Sequence, residues 1–106
     1  MITIEDFAKV ELKVGTILEA EEIAGSLKLL RLKVDLGEET PRQILSGIKE
    51  WYKSSQLVGK QAVFITNLEP RMIMGFESQG MILATDDEKP ILLKPSKKVP
   101  AGTKIR

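Results

Sequence analysis

The stretch Asn67-Leu-Glu-Pro-Arg-Met-Ile-Met-Gly-Phe-Glu-Ser-Gln-Gly-Met-Ile-Leu-Ala84 combines a prolyl turn, a basic side chain and a Ser-Gln-Gly-Met unit directly before an apolar run. Pro70 predicts the turn because its ring presets the backbone angle that a turn requires. The apolar run that begins at Met81 predicts a buried strand. Polar side chains that could serve a binding site are therefore expected to lie beside a strand of the core.

The opening stretch Asp6-Phe-Ala-Lys-Val-Glu-Leu-Lys-Val-Gly-Thr-Ile17 predicts the first strand. Apolar side chains alternate with charged ones from Val10 to Val14, which is the two-residue period of a half-buried strand. Gly15 interrupts this period, and a glycine there suits a bulge or a sharp bend. Such a bend would let one long strand serve both sides of a closed barrel.

Short strands separated by turn signals account for most of the remaining chain and predict a small barrel. The clearest strand runs from Leu30 to Leu36, with aliphatic side chains on one face and Arg31 and Lys33 on the other. Further strands are predicted at Arg42–Ser46, Ala62–Leu68, Met81–Ala84, from Ile91 onward and at Thr103–Arg106, and short helices at Ile4–Ala8 and Lys49–Ser54.

The composition excludes several classes of function. The 106 residues predict one domain, residues 1–106, with a single modest core. The chain has no His and no Cys, which excludes Ser-His-Asp and Cys-His catalysis, disulfides and zinc sites built from imidazole or thiolate. Phosphate-binding glycine loops are absent as well, so only a carboxylate-based enzyme or a magnesium site stays open. We therefore expect a non-catalytic chain without cofactor or metal.

Two further sequence properties concern location and charge. No apolar run is long enough to span a membrane and no signal peptide is present, so we expect a cytoplasmic protein. The formal net charge is only +1, but residues 1–25 carry six acids and two lysines, whereas residues 94–106 carry five cations and no acid. Such a basic end is either a solvated surface or a local site for nucleic acid, because binding depends on local potential.

The two quoted stretches together resemble the tRNA-binding domain family, and the resemblance extends from about Ile4 to Arg106. Within that family the chain is most similar to the C-terminal appendix of methionyl-tRNA synthetase and to its free-standing bacterial counterpart. The resemblance implies an all-β OB-fold, a five-stranded closed Greek-key β-barrel with short helical segments. It also implies tRNA binding without catalysis, and pairing into a symmetric homodimer.

A barrel of this kind binds its ligand across its second and third strands and their flanking loops. Arg31 and Lys33 would project there from the second strand, with Lys28 at its entry and Arg42 at the start of the third. Cations suit the role because neutralising phosphates dominates affinity for nucleic acid. Alternating cations are equally typical of a solubilising face, but the Lys-Leu-Leu setting of Lys28 matches the family pattern.

The resemblance implies a second set of contacts around Ser78 and Met81, which match positions that the family uses for tRNA. Ser78 could exchange hydrogen bonds with a phosphate or ribose, and Met81 could contact a base, although methionine also fills gaps in cores. Asn67 and Arg71 are expected to orient or extend this surface. The full predicted tRNA site is Lys28, Arg31, Lys33, Arg42, Asn67, Arg71, Ser78 and Met81.

The predicted function is a non-catalytic tRNA-binding and homodimerisation module of a methionyl-tRNA synthetase. Its expected partners are tRNA, a second copy of the chain and the catalytic part of that synthetase. The segments Pro90–Leu93 and Val99–Ile105 offer edges for a dimer, or simply close the barrel. Two alternatives stay open: a generic single-stranded nucleic-acid-binding OB domain, and a protein-interaction or dimerisation adapter. The first usually requires several exposed aromatic side chains, whereas Trp51 and Tyr52 are expected to pack against the barrel.

Overall fold

The computed structural model describes the whole chain, Met1–Arg106, which forms two short helices and eight strands. In chain order they are α1 (Ile4–Phe7), β1 (Leu12–Glu22), β2 (Leu30–Asp35), β3 (Arg42–Ser46), α2 (Ser54–Leu57), β4 (Gln61–Ile65), β5 (Arg71–Ile73), β6 (Phe76–Ser78), β7 (Met81–Ile82) and β8 (Lys104–Ile105). The main sheet has the antiparallel order β3-β2-β1-β4-β7, with β8 on the start of β1. The predicted five-stranded OB-type barrel is confirmed, and it is nearly closed.

The longest strand, β1, serves both sides of the barrel as predicted. Its first half pairs with β4 and its second half pairs with β2. The pairing with β2 shifts register between Ile17 and Glu19, so Leu18 is the extra residue of the strand. An extra residue of this kind bends a strand and increases its twist, which lets β1 turn from one side of the barrel to the other.

Gly15 does not form this bulge, and in that respect the prediction was wrong. Gly15 lies in regular pairing opposite Ala62, two residues before the register shift. A Cβ atom at Gly15 would lie 2.5 Å from Cγ1 of Val34 and 2.9 Å from Cδ1 of Phe64. The glycine is required because the side chains of β2 and β4 fill the space that its own side chain would need.

The core is supplied mainly by the alternating strand that the sequence predicts most clearly. Leu30, Leu32 and Val34 are completely buried on one face of β2, and Leu36 continues the row just beyond the strand. Phe64 on β4 is also completely buried and belongs to the same apolar cluster. The strand predictions for Leu30–Leu36 and Arg42–Ser46 are confirmed, since burial of alternate residues matches the period of the sequence.

The first helix is confirmed and the second lies later than predicted. In α1 the side chains of Thr3 and Asp6 each accept a backbone N–H of the other residue, which is a capping box. Helix α2 begins at Ser54, where the predicted segment Lys49–Ser54 ends. Residues 49–52 instead form a turn, with the N–H groups of Trp51 and Tyr52 both donating to the carbonyl of Ile48.

The later strands are shorter than the apolar runs that predict them. Strand β4 ends at Ile65, and Leu68 is exposed, so the predicted Ala62–Leu68 strand is too long. Strand β7 covers only Met81–Ile82, and the predicted strand from Ile91 is reduced to one bridge between Ala84 and Leu92. The closing strand at Thr103–Arg106 is confirmed as β8.

A hairpin of β5 and β6 was not predicted. Its two-residue loop is Met74–Gly75, and both residues have positive φ, 50° and 84°. Two positive φ values suit the twist of a tight hairpin, but methionine is an unusual residue at such a position. Neither of the four-residue helices has the length or the apolar character needed to cross a membrane. No cluster of three or more potential metal-ligating side chains is present.

Replacing Gly15 with alanine tests its packing role. We expect Gly15→Ala to lower the free energy of unfolding by about 1–3 kcal/mol, because an extra methyl in a packed core forces its neighbours to move. Gly47→Ala is the matched control, since nothing lies within 4 Å of the added Cβ atom and its φ is ordinary. Urea titration of both variants measures the difference, and equal stability of the two would contradict the packing explanation.

Candidate nucleic-acid interface

The outer face of β2 presents the two predicted cations, Arg31 and Lys33, and each lies opposite a carboxylate on β1. The register pairs Arg31 with Glu21 and Lys33 with Glu19. Arg31 forms an ion pair with Glu21, and the ammonium of Lys33 lies 3.9 Å from a carboxylate oxygen of Glu19. A phosphate that binds here must therefore compete with, or displace, carboxylates of the protein itself.

These four side chains and Gln43 of β3 line an open depression of about 260 Å³. The guanidinium of Arg31 also lies 4.8 Å from the centroid of the Phe76 ring, within the range of a cation–π contact. Arg31 is therefore held on two sides, whereas Lys33 is well exposed and its ion pair is long. Exposed ion pairs contribute little to stability, so Lys33 can change partner at low cost.

Lys28 lies in the loop before β2 and its side chain is free. The buried hydroxyl of Ser26 accepts the N–H groups of Lys28 and Leu29, at 3.3 and 3.0 Å, and the carbonyl of Lys28 accepts the N–H of Lys49. These bonds fix the backbone of the loop, while the Lys28 side chain is exposed and forms no ion pair. Leu27, in the same loop before β2, faces solvent and is 87% exposed.

Arg42 is bound inside the protein instead of being free for a ligand. Its guanidinium donates two 2.8 Å hydrogen bonds to the carboxylate of Glu38, and its Nη1 donates to the carbonyls of Thr66 and Gln79. Four of its five N–H groups are therefore used. The hydrogen bonds from Arg42 hold the pKa of Glu38 below its usual value, and the same bonds raise the pKa of Arg42.

Ser78 and its neighbours close the barrel. The Ser78 side chain is only 4% exposed, and its hydroxyl accepts the N–H of Leu45 and donates to the carbonyl of Gly80. The side-chain carbonyl of Gln79 accepts the backbone N–H of Gln43. In return, the backbone carbonyl of Gln43 accepts the backbone N–H of Gln79. The single hydroxyl proton of Ser78 is already used, so the predicted donation of that proton to a phosphate is not available in this conformation.

Gly80 and Met81 differ in how they meet the surface. A Cβ atom on Gly80 would lie 2.9 Å from the carbonyl oxygen of Ile65, so the close approach there is made by the protein's own backbone. Met81 is 44% exposed, so it is not a core residue. Together with Arg71 and Ser78 it lines a groove of about 280 Å³ between β3, β7 and the hairpin. Three of the predicted residues thus meet in one groove, and Arg71 there is exposed and without an ion pair.

Asn67 has a positioning role in the structure. Its carbonyl oxygen accepts the N–H of Glu11 at 2.8 Å, and its amide donates to the carbonyl of Lys9 at 2.6 Å. These two bonds attach the segment between α1 and β1 to the end of β4. The prediction that Trp51 and Tyr52 pack against the barrel is correct for Tyr52 only. Tyr52 packs on the core cluster and its hydroxyl donates to the carbonyl of Pro90, whereas Trp51 is 37% exposed.

Two acids of β1, Glu19 and Glu21, oppose the predicted cations and are not among the predicted site residues. Glu19 and Glu21 follow each other at the two-residue period of β1, so their place on the face next to β2 could have been inferred from that alternation. Gln43 and Gln79 are likewise not among the predicted site residues, because their reciprocal hydrogen bonds across the barrel leave no pattern in the sequence. The predicted roles of all eight site residues in tRNA binding stay predictions.

Comparison with known proteins identifies the family. Residues 12–104 match the family model described as "Putative tRNA binding domain". The chain belongs to this tRNA-binding domain family. The family and the fold expected from the resemblance are therefore both confirmed.

Two curated relatives of this tRNA-binding domain are methionine–tRNA ligases. The ligase of Methanoregula boonei is 58% identical over 106 residues, which is 100% of this chain and 16% of the ligase. The ligase of Methanocella arvoryzae is 53% identical over 105 residues, or 99% of this chain and 15% of the ligase. The domain thus spans about a sixth of the length of these relatives.

Two solved structures match the tRNA-binding domain over its full length. The MetRS-related protein from Pyrococcus horikoshii has a TM-score of 0.90 at 36% identity, covering 100% of this chain and 98% of that one. The chaperone CsaA from Bacillus anthracis has a TM-score of 0.89 at 33% identity, covering 100% of this chain and 99% of that one. The barrel described above is therefore shared by proteins described under different functions.

The Glu38–Arg42 pair predicts a dependence of stability on pH. Because the folded-state pKa of Glu38 lies below its unfolded value of about 4.3, the pair contributes stability above that pH. The contribution is lost as the pH falls through the folded pKa. We expect Glu38→Gln to be less stable than the unchanged domain at pH 7 and to lose less stability on acidification.

Urea titrations between pH 7 and pH 3 measure this difference. Glu39→Gln is the matched control, since Glu39 is exposed and forms no ion pair. The pKa of Glu11 is also lowered, by the hydrogen bond from the Thr66 hydroxyl, so part of the acid sensitivity should persist in Glu38→Gln. Parallel pH profiles of Glu38→Gln and the unchanged domain would contradict the role of the pair.

Proposed function

We propose that this chain is a non-catalytic tRNA-binding and homodimerisation module of a methionyl-tRNA synthetase. In that role it binds tRNA by shape and backbone and raises the affinity of the synthetase for tRNA. The observation that carries the proposal is the family match over residues 12–104, together with two methionine–tRNA ligases that align with 99–100% of the chain. Its place of action would be the cytoplasm, with the catalytic part of the synthetase as its partner.

Recognition by shape is supported by the kind of side chains available. The groove that contains Arg71 and Met81 and the depression that contains Arg31 and Lys33 are lined by charged, polar and aliphatic side chains and by no aromatic ring. Phosphate contacts position a nucleic acid without reading its sequence. A surface of this composition is suited to a folded backbone, and less suited to the stacking platforms of general single-strand binders.

The free cations Lys28 and Arg71 are the side chains best placed to contact phosphate. Arg42 is less suited, because its charge is matched by Glu38 and its N–H groups are used within the protein. Arg31 and Lys33 are intermediate, because each must leave a carboxylate before it can bind a phosphate. The proposal therefore assigns primary contacts to Lys28 and Arg71 and a positioning role to Arg42.

Charge reversal tests these contacts. We expect Lys28→Glu and Arg71→Glu each to weaken binding of bulk tRNA and to flatten the plot of log affinity against log salt by about one unit per lost phosphate contact. Lys53→Glu is the matched control, since Lys53 is exposed and forms no ion pair. Filter binding over a salt series gives both quantities. If all three variants bound as the unchanged domain does, the site assignment would be wrong.

Dimerisation is supported by an apolar surface at the N-terminus. Ile4, Phe7 and Val10 are exposed and, with Leu12 and Ile105, line a depression of about 360 Å³. A single chain leaves these side chains facing water, whereas a symmetric pair would bury each patch against its copy. Ile105 belongs to the Val99–Ile105 tail that the sequence singles out, and the other predicted edge exposes Ile91 and Leu93.

Mass measurement in solution tests the dimer. We expect light scattering to give twice the 11.8 kDa of one chain, and Phe7→Asp to shift the mass toward one chain because it places a charge in the apolar interface. Leu27→Asp is the control, since Leu27 is exposed but lies in the loop before β2. A single-chain mass for the unchanged domain would remove the dimer from the proposal and leave the tRNA contacts to be judged on their own.

The alternative of a protein-interaction module is favoured by one set of observations. Met72 and Met74 on the hairpin are exposed together with Met81, and methionine is the side chain that adapts most easily to varied apolar partners. One of the structural neighbours is described as a chaperone. Full synthetase activity after neutralisation of Lys28 and Arg71, with dimerisation intact, would favour this alternative over tRNA binding.

A further inference from the structure

A cluster of four unpaired lysines lies away from the outer side of β2 and β3 that carries Arg31, Lys33 and Gln43, which we call the β2–β3 face. Four lysines, Lys60, Lys94, Lys97 and Lys98, line a depression of about 260 Å³ whose other walls are Gly59, Gln61, Pro95 and Ser96. We call these four side chains the lysine surface. It shares no residue with the depression around Arg31 and Lys33, and in the sheet β1 separates β2 from β4, at whose start the lysine surface lies.

The lysine surface differs from the β2–β3 face in its electrostatics. All four lysines are exposed, none forms an ion pair, and no acid lines the depression. On the β2–β3 face Arg31 and Lys33 are each matched by a carboxylate. Because unpaired charges set the local potential, an anion approaching this molecule is attracted more strongly to the lysine surface than the net charge of +1 suggests.

The backbone that carries these lysines is held in place. The side-chain amide of Gln61 donates to the backbone carbonyl of Val99 at 2.7 Å and accepts the backbone N–H of Val99 at 3.1 Å. The same amide also donates to the Thr16 hydroxyl. The carbonyl of Leu93 accepts the N–H of Val63 on β4. Both ends of the segment 94–98 are thereby attached to β4, so its lysines lose little backbone entropy when they bind.

An exposed aromatic ring lies next to this charge. A second depression, of about 370 Å³, shares Lys60, Gln61 and Lys94 with the first and adds Trp51 and Tyr52. Tyr52 is fixed by its bond to the Pro90 carbonyl, whereas Trp51 is part-exposed and its indole N–H has no hydrogen bond within the protein. A ring in this position can stack on a base whose phosphates lie along the lysines, which is how single strands are commonly bound.

We propose that the lysine surface is a second RNA-binding site, which takes the sugar–phosphate backbone of an unpaired RNA segment with one base stacked on Trp51. The inference rests on the proposed function in one respect, since the RNA expected there is an unpaired loop or terminus of the tRNA held by the β2–β3 face. One surface would then read the folded body of the RNA, and the other would hold a flexible part of it.

The first test uses the single tryptophan of the chain. Because Trp51 is the only tryptophan, intrinsic fluorescence reports on this site alone, and stacking on a base should quench it. We expect titration with bulk tRNA, and with a single-stranded oligouridine, to quench the emission in the unchanged domain. Unchanged fluorescence at a tRNA concentration that saturates filter binding would overturn the stacking contact.

The second test removes two charges from the lysine surface. We expect Lys97→Gln/Lys98→Gln to flatten the salt slope for tRNA by about two units, one per lost phosphate contact, and to abolish the quenching by oligouridine. Lys9→Gln/Lys53→Gln is the control, because it removes the same charge from two exposed lysines outside both RNA surfaces and outside the apolar depression at the N-terminus, and the exposed 3.8 Å ion pair of Lys9 contributes little. Light scattering on both variants checks that the oligomeric state is unchanged.

The outcomes separate this inference from the proposed function. If the unchanged domain does not bind tRNA at all, the proposed function is wrong. If it binds tRNA and only Lys28→Glu and Arg71→Glu weaken the complex, the proposed function stands and the lysine surface is a solvated face. Equal losses in the lysine variant and its control would likewise overturn the second site, since they would show a response to total charge alone.

Discussion

The barrel depends on hydrogen bonds that side chains make where β3 meets residues 77–80. No regular ladder of backbone bonds joins β3 to β7 there. Instead the Ser78 hydroxyl accepts the N–H of Leu45, the Gln79 side chain accepts the N–H of Gln43, and Arg42 donates to the carbonyl of Gln79. Each of these bonds satisfies a backbone group that would otherwise lie unpaired at the seam, and an unpaired buried group costs about 1–3 kcal/mol.

This closure explains why polar residues precede the apolar run from Met81. Ser78 and Gln79 are placed by the β5–β6 hairpin, whose last strand ends at Ser78. Because the seam uses their donors and acceptors, the side chains left for a ligand are those of the neighbouring groove, which include Arg71 and Met81. The same segment therefore closes the barrel with its buried side chains and presents a groove with its exposed ones.

The sequence predicts those parts of the fold that follow from regular alternation. The row from Leu30 to Leu36 was predictable because every second side chain enters the core, and the same holds for Arg42–Ser46. The β5–β6 hairpin was not predictable in this way, since Met74 occupies a positive φ that usually requires Gly or Asn. The reason for Gly15 was also hidden, because the atoms that exclude a side chain there come from β2 and β4.

The sequence predicts which types of residue line the candidate site, but not which of their charges are free of an ion pair. The sequence shows that Arg31 and Lys33 point outward together, but their neutralisation depends on the register that places Glu19 and Glu21 opposite them. Likewise, Arg42 is a residue that commonly binds phosphate. Only the fold shows that its N–H donors are already used by Glu38, Thr66 and Gln79. Pairing across strands, and not the count of cations, decides which of them are free.

Because the chain has 16 cations and 15 acids, its attraction for a polyanion must come from their arrangement. Ion pairs involve six of the 16 cations, among them Arg31, Lys33 and Arg42, and the unpaired cations include Lys28, Arg71 and the lysine surface. Lys28, Arg71 and the lysine surface lie on separate parts of the barrel, so the unpaired charge is divided among several surfaces. A dimer would double every patch on one object and turn later contacts into intramolecular ones, which increases affinity without any new contact.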